Sequence, residues 1–381
     1  MKILLFSLLL ASEATVYSAQ QLGDITVVTK GEPRLILRSQ ECGPEDVPDA
    51  GLRVFRRQDG SIYGFASGYD NFPIAGQALS DLHRVCKSAY QSEHNANPES
   101  FDDETWLAAT WTDNGRDIMA IGHNEYHGEQ HPGACHGTSP RVCRYGVLLH
   151  LTSHDGGSTF TKTTSSPLVA PPIRQEVDQQ RDTGFFQPSN IFEHDGWKYV
   201  FVRTSGGGSQ KAATCLMRSD KPESPASWGI YDGSAFRPAL FNPYADDVVS
   251  RPSCAPLANI NGLVWTVVQL RGTDFLIALL TRVDSRTNIT RLMTSTSRDA
   301  LHWSAPRIVQ GINLEWSESC PTSPYLHYPS LVDPQSSRRN FDDVGTSALL
   351  FFTSIEVSHC KFTMHRDLIA QPVQILIGPA P

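Results

Sequence analysis

The sequence predicts an all-β protein, folded as a five-bladed β-propeller. Past residue 40, short apolar or alternating runs are separated by Asp-Gly and Asn-Gly turns, and almost no segment has the period of a helix. One unit, an apolar run, a turn and a second apolar run, occurs five times. A repeat of about 65 to 70 residues has room for four strands and long loops, which favours a radial arrangement of blades.

The five predicted hairpins follow one another along the chain. They pair residues 52–55 with 62–67, 106–111 with 118–122, 189–192 with 199–202, 255–257 with 264–270, and 328–332 with 348–353. The first four turn at Asp59-Gly60, Asn114-Gly115, Asp195-Gly196 and Asn261-Gly262. Runs at 25–28 and 35–37 predict an extra strand or the outer strand of the last blade. With a strand at 365–375 they would close the ring and remove an exposed sheet edge.

Turns that end in an aromatic residue accompany the outer strands. The segment from Ser153 to Phe160 fits the Asp-box pattern S-x-D-x-G-x-T-[FW], residues 297–303 are a shortened form, and residues 218–228 are a looser one. In such a turn the Asp side chain accepts backbone N–H bonds and the aromatic ring packs back on the blade. Asp155 and Asp299 are therefore predicted to be structural. A β-sandwich, the alternative fold, needs no such repeated turn.

Residues 1–19 have the pattern of a signal peptide, with Lys2, an apolar run over 3–11 and small residues before Gln20. Residues 20–381 are then expected to form a single propeller domain that is secreted, or periplasmic in a bacterium.

Eight cysteines follow the predicted cleavage site, and an even count in an exported chain predicts disulfides. We expect Cys42 to pair with Cys86 and Cys135 with Cys143, whereas the spacing does not assign the other four. Zinc ligation by Cys135 and Cys143 is the alternative, although seven intervening residues are not the spacing of a zinc knuckle.

The charge balance bears on possible partners. Forty Asp and Glu residues against 32 Lys and Arg residues give a net charge of −8, and the surplus forms no block of like charge. A nucleic-acid or anionic-membrane surface is therefore not expected. A monomeric protein is expected.

Propeller geometry collects the candidate site residues on one rim. The first strand of each blade starts on one face, and the antiparallel second strand returns to it, so first-strand starts and second-strand ends meet there. This rule places acids, histidines, arginines and other polar residues together: Asp49, Asp70, Asp103, His123, Glu125, His127, Gln187, Asn190, Arg203, Arg251, Arg271 and Tyr328.

Three carboxyl groups of this rim suit hydrolysis of a glycosidic bond. That reaction needs one carboxylic acid to protonate the leaving oxygen and one carboxylate to activate water or attack the sugar. We predict that Asp49, Asp103 and Glu125 are catalytic. The other rim residues are predicted to bind substrate.

The boxes and hairpins resemble the sialidase-like propellers and, more closely, the five-bladed arabinanase, xylosidase and fructosidase propellers. Segments 46–50, 123–128, 187–191 and 328–334 also resemble a group of secreted bacterial proteins of unknown activity. The hydrolase resemblance implies a base Asp opening blade one, a second Asp opening blade two and an acid Glu opening blade three. Asp49 and Asp103 match the first two positions.

The third position departs from that pattern, since Gln187 stands where the hydrolases have their acid, and an amide cannot protonate a leaving group. We expect Glu125 to take over the acid role, with His123 or His127 holding its proton state.

His123, Glu125 and His127 alternate, so in an extended strand they project on one side. This spacing would also suit a divalent metal with Asp70 as a fourth ligand. Hydrogen bonding to sugar hydroxyls is the favoured interpretation, and no cofactor is expected.

Three arginines, Arg203, Arg251 and Arg271, are predicted to clamp an anionic sugar group. The alternative is that they form salt bridges with Asp246, Asp247 or Asp274. A non-catalytic, lectin-like propeller is the competing function, with Tyr69, Tyr126, Trp316 and Tyr328 as aromatic platforms for a sugar.

Overall fold

The computed structural model describes residues 25–66, 68–137, 142–247, 253–284, 289–312 and 324–378. Its regular elements are almost all β-strands, joined by 3₁₀ turns at Pro98–Ser100, Gly128–Gln130 and Pro225–Ser227, which confirms the all-β prediction. In these ranges no helix has the length and apolar character to cross a membrane. The predicted signal peptide lies outside the described residues.

The strands form four sheets, and the ten-stranded sheet divides into two parts, so five mainly antiparallel groups follow one another along the chain. Two N-terminal strands, β1 (Ile25–Thr29) and β2 (Arg34–Leu37), precede group one. Group one contains β3 (Arg53–Arg56), β4 (Ile62–Phe65), β5 (Ile74–Gly76) and β6 (His83–Arg84). Group two contains β7 (Glu104–Trp111), β8 (Ile118–His127), β9 (Arg144–Ser153) and β10 (Thr161–Lys162).

The remaining three groups complete the chain. Group three contains β11 (Thr183–Phe186), β12 (Phe192–His194), β13 (Trp197–Gly206), β14 (Ala213–Ser219), β15 (Gly229–Tyr231) and β16 (Phe236–Pro238). Group four contains β17 (Leu263–Leu270), β18 (Leu276–Asp284), β19 (Ile289–Ser297) and β20 (Arg307–Ile308). Group five contains β21 (Tyr325–Val332), β23 (Ser347–Ser358) and β24 (Lys361–Ile377), and the short β22 (Asp343–Val344) pairs with β17.

The ring closes through both ends of the described chain. Both β1 and β2 pair antiparallel with β24, as the N-terminal apolar runs predicted. Neighbouring groups are also linked, since β11 pairs parallel with β9 of group two and antiparallel with β13 of group three. The pairing of β1 and β2 with β24 covers a sheet edge that would otherwise expose unpaired backbone groups.

Five hydrophobic clusters fill the space between adjacent groups. Phe55 and Leu107 belong to the cluster between groups one and two, and Leu148 and Val200 to the next. The other three clusters join groups three and four, four and five, and five and one. Because each group packs on two neighbours, the groups form a closed ring, and the protein is a β-propeller.

The fourth predicted hairpin is wrong by one strand. The Asn261-Gly262 turn precedes the first strand of group four, and that strand, β17, pairs with β18 across residues 271–275. Residues 253–262 contain no strand. The strand over 264–270 therefore starts at the rim and runs away from it. Arg271, at the end of this strand, lies on the opposite face of the propeller from Leu263.

Arg53 ties the innermost strands together at the centre of the ring. Its guanidinium donates to the carbonyl oxygens of Leu52, Ala108, Pro188 and Trp265 at 3.1, 3.0, 3.3 and 2.9 Å, and to Ser330 Oγ at 3.1 Å. These acceptors come from all five groups. Gly51 leaves room for this network, because a Cβ there would lie 2.8 Å from Arg53 Nη1.

The disulfides predicted from the sequence are confirmed. Cys42 is bonded to Cys86 and Cys135 to Cys143, so the zinc alternative is wrong. A third disulfide joins Cys215 of β14 to Cys254. The sequence does not assign this pair, whose partners are 39 residues apart.

Asp155 occupies the turn position that its motif predicts. Its carboxylate accepts from Thr159 N at 2.9 Å, from Thr159 Oγ1 at 2.7 Å and from Ser153 Oγ at 2.7 Å, and Phe160 is buried behind it. Asp299 likewise accepts from the backbone N–H groups of Leu301 and His302.

Asp155→Ala is expected to lower the free energy of unfolding by about 1 kcal/mol, because it removes hydrogen bonds that hold an exposed turn. Denaturant unfolding of this variant, beside Glu356→Ala at an exposed position of β23, measures the loss. Glu356→Ala should unfold like the unmodified protein, and an equally unchanged unfolding midpoint in Asp155→Ala would contradict the structural role of its turn.

Candidate functional site

A cavity of about 640 Å³ opens at the centre of the ring, and residues of all five groups contribute to its wall. Its charged and titratable side chains are Glu45, Asp49, Arg53, Glu104, His123, Glu125, His127, Arg144, His327 and Arg366. Its aromatic side chains are Tyr69, Trp106, Trp265, Tyr325, Tyr328 and Phe362. Carboxylates beside aromatic rings in one concave site are typical of ligand-binding and catalytic pockets.

Strands β7 and β8 supply most of the charge, and alternation decides which side chains reach the cavity. His123, Glu125 and His127 all line it, as their spacing predicts. On β7, Glu104, Trp106 and Ala108 line it. Cross-strand pairing sets Glu104 opposite Glu125 and Trp106 opposite His123. Two glutamates directly opposite each other would repel if nothing lay between them.

Glu125 is surrounded by positively charged or hydrogen-bonding groups. His123 Nε2 lies 3.1 Å from Oε1, and His127 Nε2 and Arg144 Nε each lie 3.1 Å from Oε2. Burial alone would raise the pKa of Glu125, but these contacts hold it well below its usual range. Glu125 is therefore an ionised carboxylate, and the prediction that it donates the catalytic proton is not favoured by its surroundings.

His127 separates the two opposing glutamates. Its Nε2 lies 3.1 Å from Glu125 Oε2 and 3.4 Å from Glu104 Oε2, and its Nδ1 lies 3.3 Å from Glu129 Oε1. Burial would lower the pKa of His127, yet the contact with Glu125 and the charge of Glu104 raise it above its ordinary value. Both ring nitrogens face carboxylates, so the ring is held as an imidazolium.

This charge predicts a pH-dependent stability. Because the pKa of His127 is raised on folding, its contribution is complete below the unfolded value of about 6.5 and is lost as pH rises through the folded value. The deficit in unfolding free energy of His127→Asn relative to the unmodified protein should therefore shrink from about pH 5 to pH 9. Denaturant unfolding across that range measures it, and a deficit that does not change with pH would contradict the assignment.

Asp49 lies on the other side of the cavity. Its Oδ1 contacts Arg366 Nη1 and accepts from the Tyr328 hydroxyl at 3.1 Å. Burial raises the pKa of Asp49, and Arg366 and Tyr328 oppose this effect without cancelling it. Burial also raises the pKa of Glu104, although the positive charge of His127 acts to lower it. The cavity thus contains two carboxyl groups with raised pKa values and one with a depressed pKa.

Two cavity residues have a strained backbone. Gln187 and Tyr328 have φ values of 46° and 53°, and each precedes a proline and a serine, Pro188-Ser189 and Pro329-Ser330. Non-glycine residues rarely occupy this left-handed region, which is further disfavoured before proline. Strain of this kind concentrates at sites where side-chain position matters.

Several sequence-predicted site residues do not line this cavity. Asp103 is buried on the other side of its segment, where it accepts from His127 N at 2.7 Å and lies 3.0 Å from His131 Nε2. Asp70 is also absent from the wall, and burial with the charges of Glu45 and Asp46 raises its pKa. Asn190 instead joins group three to group four through the backbone of Val267, at 2.7 and 2.8 Å.

The predicted arginine clamp is not assembled. Arg271 pairs with Asp333 and Asp343 at 2.7 and 3.0 Å on the far side of β17, so its predicted place at the rim is wrong. Arg203 lines a neighbouring cavity. Arg251 and Trp316 lie outside the described residues. Of the predicted platforms, Tyr69 and Tyr328 line the cavity, whereas Tyr126 donates its hydroxyl to Ala96 O.

Sequence reasoning missed Glu104, Trp106, Arg144, Trp265, His327 and Arg366. Alternation along β7 places Glu104 and Trp106 on one face, but it does not show which face of the strand meets the cavity. Arg366 has no such local signal, because it reaches Asp49 across 317 residues of sequence.

The arrangement of the histidines and acids bears on metal binding. Among the described residues, no group of three or more His, Cys, Asp or Glu side chains is arranged to hold a metal ion. The contacts of Glu125 with His123, His127 and Arg144 are those of an ion-pair cluster. A cavity of carboxyl groups with separated pKa values is an arrangement suited to acid–base chemistry.

Comparisons with known proteins identify the fold. No protein-family model matches the sequence, and curated proteins give no match. A protein of unknown function from Dyadobacter fermentans is 12% identical with a TM-score of 0.50, over 92% of this chain and 99% of that one. At this identity the likeness shows the fold alone.

Two solved glycoside hydrolases are also similar in structure. A family 117 enzyme from Zobellia galactanivorans is 9% identical with a TM-score of 0.49, covering 94% of this chain and 91% of that chain. The α-L-arabinofuranosidase of Podospora anserina, solved with cellotriose, is 8% identical with a TM-score of 0.47, covering 92% and 97%.

Proposed function

We propose that this protein is a secreted glycoside hydrolase that cleaves a polysaccharide at the central cavity by carboxylate acid–base catalysis. The observation that carries the proposal is one cavity that contains Asp49 and Glu104, whose pKa values are raised, beside aromatic walls. Hydrolysis of a glycosidic bond requires a proton donor and a carboxylate that activates water or attacks the sugar. Titratable groups with separated pKa values in one pocket suit that division of roles.

Glu104 is the proposed proton donor. Burial raises its pKa, which favours the protonated form that an acid catalyst needs, and His127 Nε2 lies 3.4 Å from its Oε2. Once Glu104 has given its proton to the leaving oxygen, the imidazolium of His127 stabilises the new carboxylate. Glu125 keeps His127 charged and in place, so its role is to position the donor.

Asp49 is the proposed base or nucleophile. A carboxylate with a raised pKa is a stronger base than an exposed one, and the Tyr328 hydroxyl and Arg366 fix its orientation. Asp49 and Glu104 project from different strand groups onto the same cavity, so a sugar ring bound there could meet both. Trp106 also lines the wall, and aromatic faces of this kind stack on sugar rings.

Two broader features belong to the same proposal. The five strand groups are interpreted as five blades, because the five hydrophobic clusters join them in cyclic order. Three disulfides in the described residues suit an oxidising, extracellular compartment.

The test is release of reducing sugar from arabinan, xylan, fructan and acidic polysaccharides by the purified protein. We expect release from at least one polymer and none from a heat-unfolded sample. Binding without release would favour the lectin-like alternative, which Gln187 in the cavity and the firmly ion-paired Glu125 also suit. If the protein neither binds nor cleaves any polymer of the panel, both functions are contradicted.

A further inference from the structure

A second cavity of about 420 Å³ adjoins the first. The two share Leu263, Trp265, Tyr325 and His327 in their walls. The Trp265 indole donates to Thr281 Oγ1 at 2.9 Å, which fixes the ring between the two spaces. A chain of sugar units that extends past this shared wall would therefore enter both cavities.

The second cavity is positively charged. Arg203 and Arg282 line it, and among the described lining residues there is no acidic side chain. Neither arginine has an ion-pair partner in the described part of the chain, whereas Arg144 and Arg366 of the first cavity are paired with Glu125 and Asp49. Arg282 is exposed and Arg203 is partly buried, so the lack of an ion-pair partner is costly mainly for Arg203.

Arg203 is half-buried, and desolvation lowers its pKa. Removing a guanidinium from water without a counter-ion is costly, so such a site is stabilised by an anion. Arg282 lies opposite Arg291 on the neighbouring strand, and like charges in this position repel. Both observations favour an anionic ligand in this cavity.

We propose that the second cavity is a subsite for the anionic substituent of an acidic sugar, held next to the sugar unit in the first cavity. The identity of the first cavity as a carbohydrate site rests on the proposed function. Arg203 and Arg282 supply the positive charge that would bind this substituent. A uronate carboxylate and a sulfate ester share this chemistry, since both accept paired bonds from a guanidinium.

The test is calorimetric binding to the full chain carrying Asp49→Asn, which prevents turnover from obscuring affinity. The probes are an oligogalacturonate, its carboxyl-reduced counterpart, a sulfated galactan oligosaccharide and its desulfated counterpart. We expect one acidic ligand to bind at least about tenfold more tightly than its neutral counterpart at low salt, and the advantage to fall as salt is raised. The acidic ligand that shows the advantage identifies the substituent.

Arg203→Gln and Arg282→Gln should each reduce that advantage, and Arg203→Lys should retain part of it because the charge remains without the planar fork. Arg34→Gln, at an exposed position of β2, is the matched control and should change nothing. Thermal unfolding checks that every variant is folded.

The outcomes separate this inference from the proposed function. Charge-dependent binding by a protein that hydrolyses none of the polymers would support the subsite and contradict the hydrolase. Hydrolysis with equal affinity for acidic and neutral ligands would overturn the subsite alone. The subsite is also overturned if neither acidic ligand binds, or if folded Arg203→Gln and Arg282→Gln variants keep the full preference.

Discussion

Asp49→Asn and Glu104→Gln are each expected to reduce turnover on the cleaved polysaccharide by about 10²- to 10⁴-fold. Each substitution preserves shape and hydrogen bonding while removing the carboxyl group that moves a proton. Both residues line the cavity, and burial raises the pKa of each. The measurement is kcat and KM for reducing-sugar release, and the loss is expected mainly in kcat because the groups act in the transition state.

The leaving group distinguishes the two roles. A substrate with an acidic phenol as leaving group needs little protonation, so Glu104→Gln should recover much of its rate on an aryl glycoside. Asp49→Asn should remain impaired in glycosidic bond cleavage on both substrates. Loss of the alkaline limb of the pH–rate profile in Glu104→Gln would identify the same group as the acid.

The matched control for these substitutions is Glu356→Gln, at an exposed position of β23 outside the cavity wall. It should retain full turnover. Undiminished turnover in both Asp49→Asn and Glu104→Gln would rule out the assigned chemistry. A large loss in Glu125→Gln accompanied by a lowered pKa of His127 would instead be expected from its positioning role.

Arg53→Met is expected to lower the free energy of unfolding by about 3 to 5 kcal/mol. The side chain is 4% exposed, and its five hydrogen bonds reach acceptors in all five strand groups. Methionine fills a similar volume but leaves those carbonyl groups without their donor. Burial lowers the pKa of Arg53 to about 9, so the guanidinium is still charged at neutral pH.

Denaturant unfolding measures the effect, and the slope with denaturant should be unchanged, because the same surface is exposed on unfolding. Arg53→Lys is the informative comparison. Lysine keeps the charge but has three donors in place of five and lacks the planar fork, so an intermediate loss is expected. An unfolding midpoint of Arg53→Met equal to that of the unmodified protein would show that the ring does not depend on this centre.

Local patterns in the sequence were sufficient for much of the fold. Period-two runs and Asp-Gly turns predicted the strands, and the runs near residues 25 and 35 predicted strands that pair with β24. The alternation of His123, Glu125 and His127 predicted their common face, because neighbouring side chains of a strand point to opposite sides. The disulfide of Cys135 and Cys143 followed from proximity in the chain.

The face of a strand on which a side chain lies, and the direction in which a strand runs, could be read only from the tertiary structure. Asp103 and Glu104 are adjacent acids at the start of β7, and only the pairing register shows that Glu104 faces the cavity while Asp103 contacts His131. A shift of one residue reverses the face, so composition alone does not choose between them. In group four, an Asn-Gly turn that precedes a strand looks the same in sequence as one that joins two strands. For this reason the sequence-based prediction placed Arg271 on the wrong face of the propeller.

By itself, the sequence determined that the chain is built of repeated β-hairpins and that Asp49, His123, Glu125 and His127 belong to strand ends on one rim. Only the tertiary structure decided that Arg366 faces Asp49 and Arg144 faces Glu125, and therefore in which direction the pKa of each carboxyl group is shifted. The physical reason is that a pKa depends on burial and on charges within a few ångströms. Those charges come from strands that are distant in sequence, and no local pattern records them.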